Sequence, residues 1–212
     1  QIELRDKTNE IPALYAIYTL DVAGTVSCVP YEDNPRYAGS QHVSDFTAVP
    51  DLMFVMRQTR VNAFLPSPIC QAMMKLGPVS DGEFRYIIYY STETARRNMK
   101  AFVTKLSLAI TPTANGHRQH PNAMTFRTSQ RGPFISFKIM YADTPNGCFV
   151  IVSFLGAHRK RPARPLLSSR SVSRIIPAEC LQVYTENCPQ ESRIMYFPGC
   201  GRRIPHIVEW GR

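Results

Sequence analysis

Two cysteines stand eight positions apart in IPAECLQVYTENC (176–188), on a segment with the marks of a helix. Pro177 suits a first helical position, and Glu179 falls in the first turn, where its charge complements the helix dipole. Leu181, Tyr184 and Cys188 recur at three-to-four spacing on one stripe, with Cys180 beside it. At about 1.5 Å of rise per residue, an intact helix holds Cys180 and Cys188 about 12 Å apart. A disulfide needs Cα atoms within about 7 Å, so these two cannot bond each other. Each must reach elsewhere, and the helix is then stapled to the rest of the fold at two points.

The chain has 212 residues and six cysteines: Cys28, Cys70, Cys148, Cys180, Cys188 and Cys200. That number points to an oxidising, extracellular compartment. No CxxC pair occurs, which leaves little for a zinc knuckle or a thioredoxin-like site. No stretch is long and apolar enough to span a bilayer as a helix, so the chain is not expected to be membrane-embedded. The opening QIELRDKTNE lacks the apolar core of a signal peptide; either the chain is cytosolic or a signal has been removed.

The formal charge of +9 is concentrated. HRKRPARPLLSSRSVSR (158–174) holds six Arg or Lys and no acid, which leaves only +3 for everything else. Broken by Pro162 and Pro165, it reads first as a solvated loop, and second as a contact for a polyanion or a protein. It contains no aromatic residue to stack a base, so nucleic acid is not an expected partner.

Most of the remaining chain reads as strands separated by turns. LMFVMR (52–57), FRYIIYY (84–90), FVTKLSLAI (102–110), FISFKIMY (134–141) and CFVIVSF (148–154) are rich in aromatic and β-branched residues. PSP, LGPVSDG, TPTANGH, SQRGP and DTPNG between them carry turn residues, and DTPNG reads as a hairpin. Period two places Ile135, Phe137, Ile139 and Tyr141 on one face, and Phe102, Thr104, Leu106, Leu108 and Ile110 on another. One apolar and one mixed face suit a curved antiparallel sheet, either a small barrel or a sandwich.

Catalysis finds no support. There is no G-x-S-x-G, H-E-x-x-H, Walker loop or G-x-G-x-x-G, and the histidines of NGHRQH (115–120) have no acid or cysteine nearby. The expectation is a binding protein rather than an enzyme, with neither cofactor nor metal. Inside a barrel, Tyr86, Phe102, Phe126, Phe137 and Tyr141 would line a cavity for one small ligand.

LYAIYTLDVAGTVSCVPYE (14–32), MYADTPNGCFVIVSF (140–154), IPAECLQVYTENC (176–188) and a final Cys200 resemble the tick salivary lipocalins of the histamine-binding type. In that family an early strand ends in a cysteine. A Tyr-x-Asp hairpin leads into a second, and a helix opening Pro-x-x-Cys follows. The resemblance implies a mainly β fold, an eight-stranded antiparallel barrel with a C-terminal α-helix packed on its wall. One lipocalin-like domain would occupy 1–200, leaving 201–212 as a basic tail without regular structure. The implied disulfides are Cys28–Cys200 and Cys148–Cys180, with Cys70–Cys188 as the remaining pair.

The resemblance also implies a secreted monomer that captures a small host mediator to evade host defence. That mediator would be a biogenic amine such as histamine or serotonin, or a fatty-acid-derived compound. Amine binders of the family carry an acid directly after the second cysteine, where this chain has Phe149. They also carry a Glu-Leu-aromatic run on the next strand, where PARPLLSSRSVSR stands here. A cationic amine needs a buried carboxylate, for which Glu83 and Asp143 are the available substitutes. Two other readings remain: a barrel scaffold that binds a host protein or polyanion through 158–174, and a diverged paralogue.

Overall fold

The computed structural model describes residues 29–59, 68–91, 99–153, 163–168, 170–171, 175–188 and 191–204, and the backbone of 207–211. Among the described residues there are eleven strands: β1 (Met53–Val55), β2 (Arg57–Thr59), β3 (Ile69–Ser80), β4 (Glu83–Ser91), β5 (Met99–Ala109), β6 (Ala123–Arg127), β7 (Phe134–Asp143), β8 (Cys148–Ser153), β9 (Ala163–Ser168), β10 (Ser192–Ile194) and β11 (Ile207–Gly211). Helices are α1 (Val43–Ala48), α2 (Ala178–Asn187) and α3 (Cys200–Arg203), with short 3-10 turns at Tyr31–Asp33 and Pro35–Ser40.

The main sheet runs β11-β5-β4-β3-β1-β9-β8-β7-β6, and β6 pairs again with β5. Eight antiparallel strands therefore close on themselves, which selects the barrel over the sandwich. The second edge of β5 is divided. Ser107–Ala109 pairs with Ala123–Thr125 of β6, while Met99–Phe102 lies beside β11, the one parallel partner. The segment read as an unstructured tail thus contributes α3 and a strand to the sheet. β2 and β10 form a separate two-stranded ribbon.

Strand alternation sorts side chains into one cluster inside the barrel and two outside it. On β5, Phe102, Thr104 and Leu106 are buried while Val103 and Lys105 face solvent. On β8, Phe149 and Ile151 point inward; Cys148, Val150 and Val152 point outward beneath α2, so the whole strand is buried. Helix α2 lays Cys180, Val183 and Tyr184 on that outer face. Helix α1 plugs the opposite end of the interior, where Phe46 meets Tyr86 and, edge-on at 5.4 Å between centroids, Phe149. An ion pair from Lys138 of β7 to Asp33 ties the first 3-10 turn to the wall, and Arg118 Nη2 donates to the Glu32 carbonyl at 2.6 Å.

Two sequence expectations change here. LGPVSDG is not a loop: β3 runs through Gly77 and Pro78, with register shifts on either side of that pair, and only Asp81–Gly82 turns. Long pairing with β4 overrides the weak strand propensity of ICQAMMKLGPVS. DTPNG does form the expected turn, in which Gly147 has φ +63° and a Cβ would collide with Ser168 Oγ. The basic run 158–174 is not one loop either, since 163–168 is β9, with Leu166 and Leu167 buried on opposite faces.

The disulfides are Cys148–Cys180, as expected, and Cys70–Cys200, which replaces both Cys28–Cys200 and Cys70–Cys188. Alternation along β3 explains the change. Cys70 points outward with Ala72 into the cluster that holds Cys200, Tyr196 and Ile204, whereas Cys188 belongs to the cluster under α2, over another part of the wall. Cys28 lies outside the described residues. Cys188 carries a free, buried thiol; loss of solvation, reinforced by the nearby Glu32 charge, pushes its pKa up to about 12. Non-reducing peptide mapping should recover the 70–200 and 148–180 links, with Cys188 alkylated only after unfolding. Replacing Cys70 and Cys200 by serine should cost about 2–4 kcal/mol in a denaturant titration.

Candidate ligand site inside the barrel

Of the candidate ligand residues, Tyr86, Phe102, Phe126, Phe137 and Phe149 face the barrel interior. Their rings pair within it. Phe126 and Phe137 stack with centroids 5.0 Å apart, and Phe102 meets Tyr90 edge-on at 6.0 Å. Tyr86 is fully buried, and its hydroxyl has no hydrogen-bond partner among the described residues. Burial alone drives its pKa far up, so the phenol is neutral.

The other three, Tyr141, Glu83 and Asp143, lie elsewhere. Tyr141 was expected on the face of Phe137 and Ile139, but β7 is bulged against β8 between Ile139 and Tyr141. The bulge sends both Met140 and Tyr141 outward under α2. There the Tyr141 hydroxyl, its pKa raised first by desolvation, bonds to Glu179. Glu83 sits at the outer start of β4 in an ion pair with Lys105 at 2.7 Å. Hydrogen bonds from Lys105 and from Ser80 hold its carboxyl below the usual range, as befits a solvated ion pair rather than an amine pocket. Asp143 likewise serves its turn, accepting from the Asn146 backbone and side chain.

Sequence reasoning missed a buried charge on the inner face of β9. Arg164 of β9 is 9% exposed and lines an apolar space with Val55, Gln71, Met73, Ile88 and Phe126. Its position is fixed from both sides: the neighbouring Ala163 N–H donates to Thr59 Oγ1 at 2.8 Å, and Arg164 pairs with Ile151 of β8. The guanidinium donates from Nη1 to Gln71 Oε1 at 3.0 Å and lies 5.4 Å from the Phe137 ring centroid. Gln71 in turn donates to the Thr128 carbonyl at 3.2 Å. A polar chain from β9 through β3 to the end of β6 therefore crosses one end of the barrel. Nε of Arg164 is buried without a partner among the described residues. Desolvation lowers its pKa to about 10, which leaves the side chain charged at neutral pH. The alternation Arg164, Leu166, Ser168 was visible in ARPLLS, but five other basic residues nearby made the run look solvated.

The sequence matches the family described as tick histamine binding protein over residues 68–202, well over half of the chain. The chain belongs to that family. No curated protein matches the sequence at significant similarity. The fold is that of the lipocalins. Japanin from Rhipicephalus appendiculatus, solved with cholesterol, is 12% identical with a TM-score of 0.52, covering 70% of this chain and 93% of its own. A serotonin complex of AM182 is 9% identical with a TM-score of 0.57, covering 77% and 95%. Insecticyanin from the tobacco hornworm Manduca sexta is 11% identical with a TM-score of 0.50, covering 78% and 85%. Against this family, the position after the second cysteine points into the barrel, and here it holds Phe149 packed on Phe46.

Because the Tyr86 hydroxyl is buried without a partner, Tyr86→Phe should melt at the same or a higher temperature by calorimetry. Phe137→Ala, which empties a filled interior position, should cost about 3–5 kcal/mol.

Proposed function

We propose that the protein is a secreted lipocalin that sequesters a small host mediator inside its barrel and so blunts a host defence. The observation that carries this reading is the closed barrel of a histamine-binding-type lipocalin with an interior lined by aromatic side chains. Such a lining suits one small ligand rather than a macromolecule. Two structures that share the fold hold small molecules, cholesterol in one and serotonin in the other, which fits the same use of the interior.

The ligand is a biogenic amine or a fatty-acid-derived mediator, and the interior favours the second. An amine needs a desolvated carboxylate. Glu83 lies outside, Phe149 stands at the family's acidic position, and the one buried carboxylate among the described residues, Glu32, neighbours Cys188. The reading through 158–174, in which a polyanion or host protein binds the basic run, loses two of its charges: Arg164 faces inward and Arg170 pairs with Asp51 at 2.9 Å.

Native mass spectrometry and calorimetry with histamine, serotonin, cholesterol and oleate test the reading. At least one should bind with a micromolar or lower Kd at one site per chain. Failure of all four would overturn the small-ligand function.

A further inference from the structure

Arg164 brings a positive charge against the apolar side chains of Val55, Met73, Ile88 and Phe126. Among the described residues no carboxylate answers it, and desolvation is the sole influence on its protonation. Gln71 satisfies Nη1 and the Phe137 ring offers a weaker contact. Among the described residues Nε has nothing to donate to. A charge held so dry is costly unless something pairs with it, and buried donors in folded proteins are overwhelmingly satisfied. Nε belongs to the side-on edge of the guanidinium, the edge that takes a carboxylate through two parallel hydrogen bonds. Gln71 keeps that group in place, since its own amide is tethered to the Thr128 carbonyl.

We propose that Arg164 is the specificity-determining residue of the barrel and binds the anionic head of a carboxylate-bearing lipid. This proposal rests on the small-ligand reading above and names its ligand class. The head lies against Arg164 and Gln71 at the end where β8 gives way to β9, and the apolar chain runs towards Phe149 and Phe46 at the end plugged by α1. The unpartnered Tyr86 hydroxyl along that path offers a second contact for an oxygen carried on the chain. The free space beside Arg164 is only about 10 Å³, room for a single water, so a ligand is admitted by turning interior side chains. Met73 and Met124 are suited to that. The same charge repels a protonated amine, consistent with an aromatic residue at position 149.

The test is calorimetric titration of the delipidated full-length protein with oleate, with oleyl alcohol as its neutral counterpart, and with serotonin. Oleate should bind about tenfold or more tightly than the alcohol, because a hydrogen bond to a charged group is what separates them. Arg164→Met should remove that preference while changing the affinity for the alcohol by no more than about twofold, and Arg164→Lys should retain part of it. The Met variant should melt no lower than the parent, since an apolar side chain of similar length replaces an unpaired buried charge; a merely structural arginine would give the opposite. Equal binding of oleate and oleyl alcohol by the parent, a preference that survives Arg164→Met, or tighter binding of serotonin than oleate would each overturn the proposal and leave the small-ligand function standing. No binding of any probe would overturn both.

Discussion

Closure of the barrel depends on a short seam. Three residue pairs, Ser107–Thr125, Leu108–Met124 and Ala109–Ala123, join the two ends of an otherwise linear antiparallel sheet. Without the seam the inner faces of eight strands would look onto water. With it they share one interior, and each residue's position in the alternation decides whether it belongs to the ligand space, to the cluster beneath α2 or to the cluster beneath the C-terminal segment. The seam also explains why β5 alternates so regularly, because its side chains have solvent on one side and the common core on the other.

The two outer clusters are each fixed by one covalent link. Cys148–Cys180 lies inside the α2 cluster and Cys70–Cys200 inside the other, with Cα atoms 6.5 Å and 5.1 Å apart. Both links act from outside the barrel and leave the interior free of covalent constraint. A binding protein profits from that division: the wall is held by bonds that do not adapt, whereas the lumen is filled by side chains that do.

Much of this was legible in the sequence, and the failures share a cause. The strands around Phe102, Phe137 and Phe149 were readable because β-branched and aromatic residues alternate there without interruption. Helix α2 was readable from Pro177 and its stripe, and its geometry correctly forbade a Cys180–Cys188 bond. β3 was not, because Gly77 and Pro78 signal a turn and only the partner strand reveals otherwise. Tyr141 was misplaced by a single bulged position, since period two has no memory of an inserted residue. The Cys70 pairing needed a spatial fact, which outer cluster the start of β3 faces. Arg164 is the most instructive miss, because a charge run reads as solvent-facing unless strand alternation is applied inside it.

Strand β11 bears on a different hazard. Where β6 leaves β5, the backbone of Met99–Phe102 would present a row of unpaired N–H and C=O groups, a ready template for a strand from another molecule. By lying parallel along that stretch, the segment first read as an idle tail occupies the edge from within the chain, so its contribution is colloidal as much as conformational: it keeps the barrel from recruiting its own kind.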